Sequence, residues 1–178
     1  MTDQLSARDW VDLGLKTLAK SGFAALKAEP LAKAMGVSRG SFYWHFADIG
    51  AFHAAILKRW REVAAEQVIA DLEAADASDS PLWLLLRRTF ASRLTLERAV
   101  RSWASFDPAA RAAVQAIDRR RLGYLETLLR QYGLSSEVAQ ARAQILYLTF
   151  LGLTLSDKSL PHELQQSVLE ELMRLTTK

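Results

Sequence analysis

The chain has 178 residues, half of them apolar and 24% charged, the balance of a globular protein with its own core. It has no cysteine and only three histidines, His45, His53 and His162. That excludes a disulfide framework, a cysteine-ligated metal or iron–sulfur site and a cysteine nucleophile, and it argues against a histidine-rich metal centre. The net charge of +3 sits entirely in residues 1–60, where eight Lys and Arg face five Asp and Glu; beyond them the two signs balance. Between Pro30 and Ala47 no acidic residue occurs, a local basic bias that suits a polyanion.

The start, MTDQLSARDW, lacks the apolar core of a signal peptide. The longest nearly apolar run, Ile145 to Leu155, spans 11 residues, and a membrane-spanning helix needs roughly 20. A cytoplasmic protein with no membrane partner is expected.

Apolar residues recur at three- and four-residue spacing, so the chain reads as all-α, with about nine helices. Ser6 caps a first helix to Lys20, stopped by Ser21-Gly22. A short second helix spans Ala28–Met35, with Pro30 in its first turn and Gly36 closing it. Ser38 caps a third helix to Phe46, and Asp48 caps a long fourth reaching about Ala75. The small, polar stretch 74–80 is a connection. Pro81 opens a fifth helix to about Arg93, and a sixth covers Leu96–Phe106. Asp107-Pro108 caps a seventh that runs to Tyr132 and ends at Gly133. Ser135 or Ser136 starts an eighth, ending near Ser156, and Pro161 opens the last.

Residues 27–46, KAEPLAKAMGVSRGSFYWHF, have the layout of a helix-turn-helix. Ala32 is small enough for two helices to cross closely, and Gly36 supplies a left-handed turn. At about 100° per residue, Phe42 and Phe46 share the inward face of the third helix. Gly40, Ser41 and Trp44 lie opposite, flanked by Tyr43 and His45, and Arg39 stands at the start, where guanine contact is geometrically available. A short aromatic helix buried in a bundle is the plainer alternative. It would need Phe42, Tyr43, Trp44 and Phe46 all to be enveloped.

The segment Gly36-Val37-Ser38-Arg39-Gly40-Ser41-Phe42-Tyr43-Trp44-His45-Phe46 closely resembles the recognition segment of the TetR family of bacterial transcriptional regulators. The likeness extends over residues 5–60, through Gly22-Phe23, Leu31-Ala32, Ala51-Phe52 and Ile56-Leu57. It implies a DNA-binding domain in residues 1–50, with the start of helix four to about 60, and a regulatory and dimerisation domain in 51–178. In such proteins, residues matching Tyr43 and His45 contact phosphates, whereas those matching Arg39, Gly40, Ser41 and Trp44 approach bases. Lys27 stands where the family has a capping Ser or Thr, and Ala47 and Ile49 replace a basic residue. One phosphate anchor is then missing, and Lys27 replaces part of it.

The implied function is a dimeric repressor that binds an inverted-repeat operator and is released by a small molecule, with no cofactor. A transcriptional activator is the alternative within the family. An enzyme using the C-terminal half is disfavoured, because no acid/base pair, nucleophile triad or glycine-rich phosphate loop appears. Trp83, Phe90, Trp103, Phe106, Tyr124 and Tyr147 are read as core packing or, together, as the lining of an apolar ligand cavity. Glu97–Arg101 and Asp118–Arg121 have ion-pair spacing, with Arg101 or Arg121 meeting an anionic ligand as the sharper alternative. The apolar helix eight, with Leu146, Phe150 and Leu153, and the stripe Leu164, Val168, Leu172 and Leu175 on the last helix suit a four-helix dimer interface.

Overall fold

A computed structural model describes residues 5–74, 80–91, 94–158 and 160–174, with all side chains in that range except those of Phe90 and Ala91. Among the described residues every regular element is helical: α1 Ala7–Ser21, α2 Ala28–Ala34, α3 Arg39–Tyr43, α4 Ile49–Arg61, α5 Gln67–Glu73, α6 Pro81–Ala91, α7 Thr95–Ala104, α8 Pro108–Gln131, α9 Ser136–Leu155 and α10 His162–Arg174. A π-helical turn, Glu62–Glu66, joins α4 to α5 without a break, so the ten segments make nine helices. The chain divides into two compact units, Met1–Ala64 with Thr95–Gln115, and Ala65–Leu94 with Ala116–Lys178. Most of the connection read over 74–80, the far end of helix five at Arg93, and Leu175 lie outside the described residues.

In the first unit, α1 begins on a capping box. Asp9 N–H donates to the Ser6 hydroxyl at 3.3 Å, and Asp9 accepts from the Ser6 N–H at 2.8 Å. The Ser6 hydroxyl, and after it the Ser6 N–H, hold the Asp9 carboxyl below its usual range. Trp10, Val11, Gly14, Leu15 and Leu18 form the buried face of α1, which packs on both α4 and α7. At Gly14 the crossing is tight. An added methyl would land inside the Ile56 side chain and 2.7 Å from Phe52 Cζ, and both neighbours are fully buried. Gly14→Ala therefore sets a helix-propensity gain of about 1 kcal/mol against an overpacking cost of about 1–3 kcal/mol. A net loss of stability is expected in chemical denaturation, and a gain would contradict this packing.

The π turn is a departure from the uninterrupted helix expected from Asp48 onward. Asp48 does cap α4, accepting from Ala51 N–H at 2.7 Å. The buried positions then run Phe52, Ile56, Leu57, Trp60, Ala65, Ile69 and Leu72. The step from Trp60 to Ala65 is five residues, too long for an α-helical face. One extra residue wound into a π turn absorbs it.

α7 belongs to the first unit. Glu97, Val100, Trp103 and Ala104 line its buried side. Trp103 stacks on Phe23 at 4.7 Å and meets the His53 ring edge-on at 5.6 Å. Helix six was expected to reach Phe106 but stops at Ala104. Arg111 explains the stop: its guanidinium donates to the carbonyls of Ala104 (3.2 Å) and Ser105 (3.0 Å), satisfying groups that a further turn would have used. Asp107 then caps α8, accepting from Ala110 N–H at 2.8 Å, with Pro108 at the first helical position as expected.

The second unit is held by Leu82 and Leu86 of α6, Leu125, Leu128 and Leu129 of α8, Ala139, Ala143, Leu146 and Tyr147 of α9, and Leu172 of α10. Gly133, at φ 81°, closes α8, with Leu134 N–H returning to the Leu129 carbonyl. At its surface Arg88 pairs with Asp71 at 2.8 Å.

Candidate nucleic-acid interface

The helix-turn-helix forms as its residues require. Gly36 takes φ 69°, and the α2 terminus is closed by Gly36 N–H to the Lys33 carbonyl and Val37 N–H to the Ala32 carbonyl, at 3.2 and 3.1 Å. Ala32 is buried where α2 meets α3. Ser38 occupies the position before α3 but makes no side-chain cap, so its expected capping bond is missing. α3 is also shorter than expected, ending at Tyr43 rather than Phe46. The N–H groups of His45 and Phe46 both go to the Phe42 carbonyl, at 3.0 and 3.1 Å, and this shared acceptor tightens the chain into a turn just before Asp48 opens α4.

An aromatic base fixes this short helix. Phe42, fully buried, meets Trp10 and Phe52 edge-on at 5.3 and 5.2 Å and Phe46 at a tilt at 5.2 Å, and Phe46 meets Phe52 edge-on at 5.0 Å. Edge-to-face rings at these separations hold orientation as well as bury area. The opposite side is open. Trp44 is 88% exposed, Tyr43 45%, and Arg39 and Gly40 are exposed as well, while Ser41 and His45 are half-buried. An enveloped aromatic helix is thereby ruled out. Arg39 Nη2 donates to the Tyr43 hydroxyl at 3.0 Å, and this bond, ahead of the charge of Glu29 on α2, pushes the guanidinium pKa further up. Lys27, at the residue before α2, and Lys33 are exposed on the same motif.

The eight residues considered for a ligand are split between the units. In the first, Arg101 places Nε and Nη2 each 2.9 Å from Glu97 Oε1, the pairing expected from their spacing. Trp103 is buried, whereas Phe106 is exposed and lies 5.5 Å from Phe23. In the second, Arg121 sits 5.0 Å over the Phe150 ring, and the buried Tyr147 donates to Asp118 at 2.5 Å. Burial pushes the Tyr124 hydroxyl up; Trp83 is half-buried, and the side chain of Phe90 lies outside the described residues. Phe23, named in the sequence only within the family likeness, and His53, weighed only as a metal ligand, instead form an aromatic cluster with Trp103. His53 Nε2 lies 3.1 Å from the Leu26 carbonyl.

The residues considered for a dimer interface separate by depth. Leu146 and Leu172 are buried inside the protomer, Phe150, Leu153 and Val168 are half-buried, and Leu164 is exposed. A different stripe of α9 faces outward: Val138, Ala141, Ile145, Leu148, Gly152 and Leu155, alternating steps of three and four.

Among the described residues, no helix is long and apolar enough to cross a membrane, and no group of three His, Cys, Asp or Glu could hold a metal ion.

An N-terminal helix-turn-helix with an open second helix, carried on an all-helical chain, is the layout found in DNA-binding transcription regulators. Residues 11–56 match the family model of the bacterial regulatory proteins of the tetR family. Solved structures share the fold of the whole chain. One, described as a transcriptional regulator from Saccharomonospora viridis in complex with choline, has 13% identity and a TM-score of 0.74, covering 94% of this chain and 95% of that one. A TetR-family regulator from Rhodococcus sp. has 18% identity and a TM-score of 0.71, covering 97% and 99%. NemR of E. coli in its reduced form has 17% identity and a TM-score of 0.70, covering 95% and 96%. No curated protein matches the sequence. The N-terminal domain is that of the TetR family of transcription regulators, and the chain as a whole has the TetR-like fold.

Proposed function

We propose that the protein is a homodimeric repressor, not an enzyme, acting in the cytoplasm on an inverted-repeat operator and released by a small molecule. The observation that carries the reading is the open side of α3: a side chain as large as Trp44 held in solvent over a buried aromatic base. The reading head is residues 1–50 with the start of α4, and the rest of the chain regulates and dimerises. Tyr43, His45 and Lys27 meet phosphates, and Arg39, Gly40, Ser41 and Trp44 face base edges.

Dimerisation is supported by the outward stripe of α9, whose three-and-four spacing repeats every seven residues. Two copies of such a stripe bury each other as a coiled coil does, and the small Ala141 and Gly152 allow close approach. A two-fold dimer presents two recognition helices to successive major grooves, so the operator is an inverted repeat. For ligand release, the support is the choline complex of the similar Saccharomonospora viridis protein and the aromatic content of the second unit.

The test is selection from a randomised duplex library with the full-length protein. Enrichment of an inverted repeat is expected. On that duplex, His45→Ala should weaken binding to every sequence by a similar factor, as loss of a phosphate contact does. Choline and other small cations, added to the complex, then probe release. Failure of the wild type to enrich any sequence over non-specific binding would refute the reading.

A further inference from the structure

The exposed residues of α3 do not stand independently. Arg39 and Tyr43 are four apart and lie on one side of the helix. The guanidinium donates through Nη2 to the Tyr43 hydroxyl at 3.0 Å, and its carbon lies 5.5 Å from the centre of the Tyr43 ring. Tyr43 is itself braced, edge-on to the buried Phe42 at 5.3 Å. A line of contacts thus runs from the core, through a phenol ring, to a cation in solvent.

An exposed arginine loses much rotamer freedom when it binds, and a side chain already held in place loses less. The Tyr43 oxygen accepts from Arg39 and still has its own O–H to give, so it can reach a phosphate while holding the guanidinium. The other N–H groups of Arg39 remain for the O6 and N7 acceptors of a guanine.

Resting on the DNA-reading role proposed above, we propose that Tyr43 is a positioning residue for Arg39, fixing its guanidinium so that base discrimination by Arg39 depends on the Tyr43 ring and hydroxyl. This goes beyond the phosphate contact expected from sequence, whose loss would weaken all duplexes alike.

The experiment compares full-length wild type, Arg39→Ala, Tyr43→Phe and the double variant on the duplex that the wild type enriches, and on copies carrying single base-pair changes. Both side chains are exposed, and Tyr43→Phe keeps the ring on Phe42, so folded protein is expected from each, checked by circular dichroism. Arg39→Ala should lose about 5- to 150-fold discrimination at particular base pairs. Tyr43→Phe should lose discrimination at those same base pairs, and the double variant should lose little more than Arg39→Ala alone. If Tyr43→Phe weakens every duplex by one factor with the wild-type preferences intact, or if the two losses add in full, the positioning role is overturned while DNA reading stands. A wild type that enriches no duplex overturns both.

Discussion

Trp103→Ala should destabilise the protein by about 3–5 kcal/mol, the usual cost of truncating a fully buried large aromatic. Trp103 is 1% exposed, stacked on Phe23 and edge-on to His53, so no neighbour can collapse into the space without breaking a ring contact of its own. For a chain of this length, that loss lowers the midpoint of thermal unfolding on the order of 10 °C. Trp103→Phe separates packing from polarity. The indole N–H has no hydrogen-bond partner, so phenylalanine sheds an unmet donor while keeping a ring against Phe23. The phenylalanine variant should therefore stay much closer to wild type. Thermal and urea unfolding of the full chain measure both, and an alanine variant within about 1 kcal/mol of wild type would contradict the packing role.

If the protein assembles through α9 as proposed, Leu148→Glu should leave a folded monomer. Leu148 is 56% exposed in the middle of the α9 stripe, between Ile145 and Gly152, so the protomer's own core does not need it. Across the proposed two-fold axis the substitution would bring two carboxylates face to face, a repulsion that a desolvated contact does not survive. Leu172 provides the contrast. It is 7% exposed and sits among Leu82, Leu86, Leu129 and Leu146, so Leu172→Glu attacks the fold before it reaches any interface. Sedimentation velocity gives the mass, and circular dichroism shows that Leu148→Glu remains helical. A monomer also presents one recognition helix at a time and should lose the preference for an inverted repeat. A Leu148→Glu protein that stays dimeric removes this face of α9 from the interface.

The reading head was legible because its signals are local. Gly36 demanded a left-handed turn, and the four-residue spacing of Phe42 and Phe46 announced which side of α3 faces inward. The cap at Asp48 and the Asp107-Pro108 start follow from rules that act within one turn. The π turn was written in the sequence as a five-residue step from Trp60 to Ala65, but it becomes visible only when the buried positions are known. The Arg39–Tyr43 bond has ordinary helical spacing and was masked by the separate roles that the resemblance gave each residue. On α9 apolar residues run nearly all round, so composition cannot separate Leu146, which faces the protomer, from Leu148, which faces solvent. The place of α7 against α1 joins positions some eighty residues apart, and no periodicity encodes that.

The first unit is discontinuous: the chain leaves it after Ala64 and supplies it again from Thr95 to Gln115. Cutting in the sixties, the natural boundary on a linear map, would strip α1 of the helix that covers it and leave Phe23 without Trp103. Transplanting this helix-turn-helix with its supporting core thus means moving two pieces of sequence at once, or choosing a recipient whose own equivalent helix fits the α1 surface. The same arithmetic constrains natural shuffling. A crossover there delivers a folded head only into a close structural match, which ties the evolution of the helix-turn-helix to that of a stretch far from it in sequence.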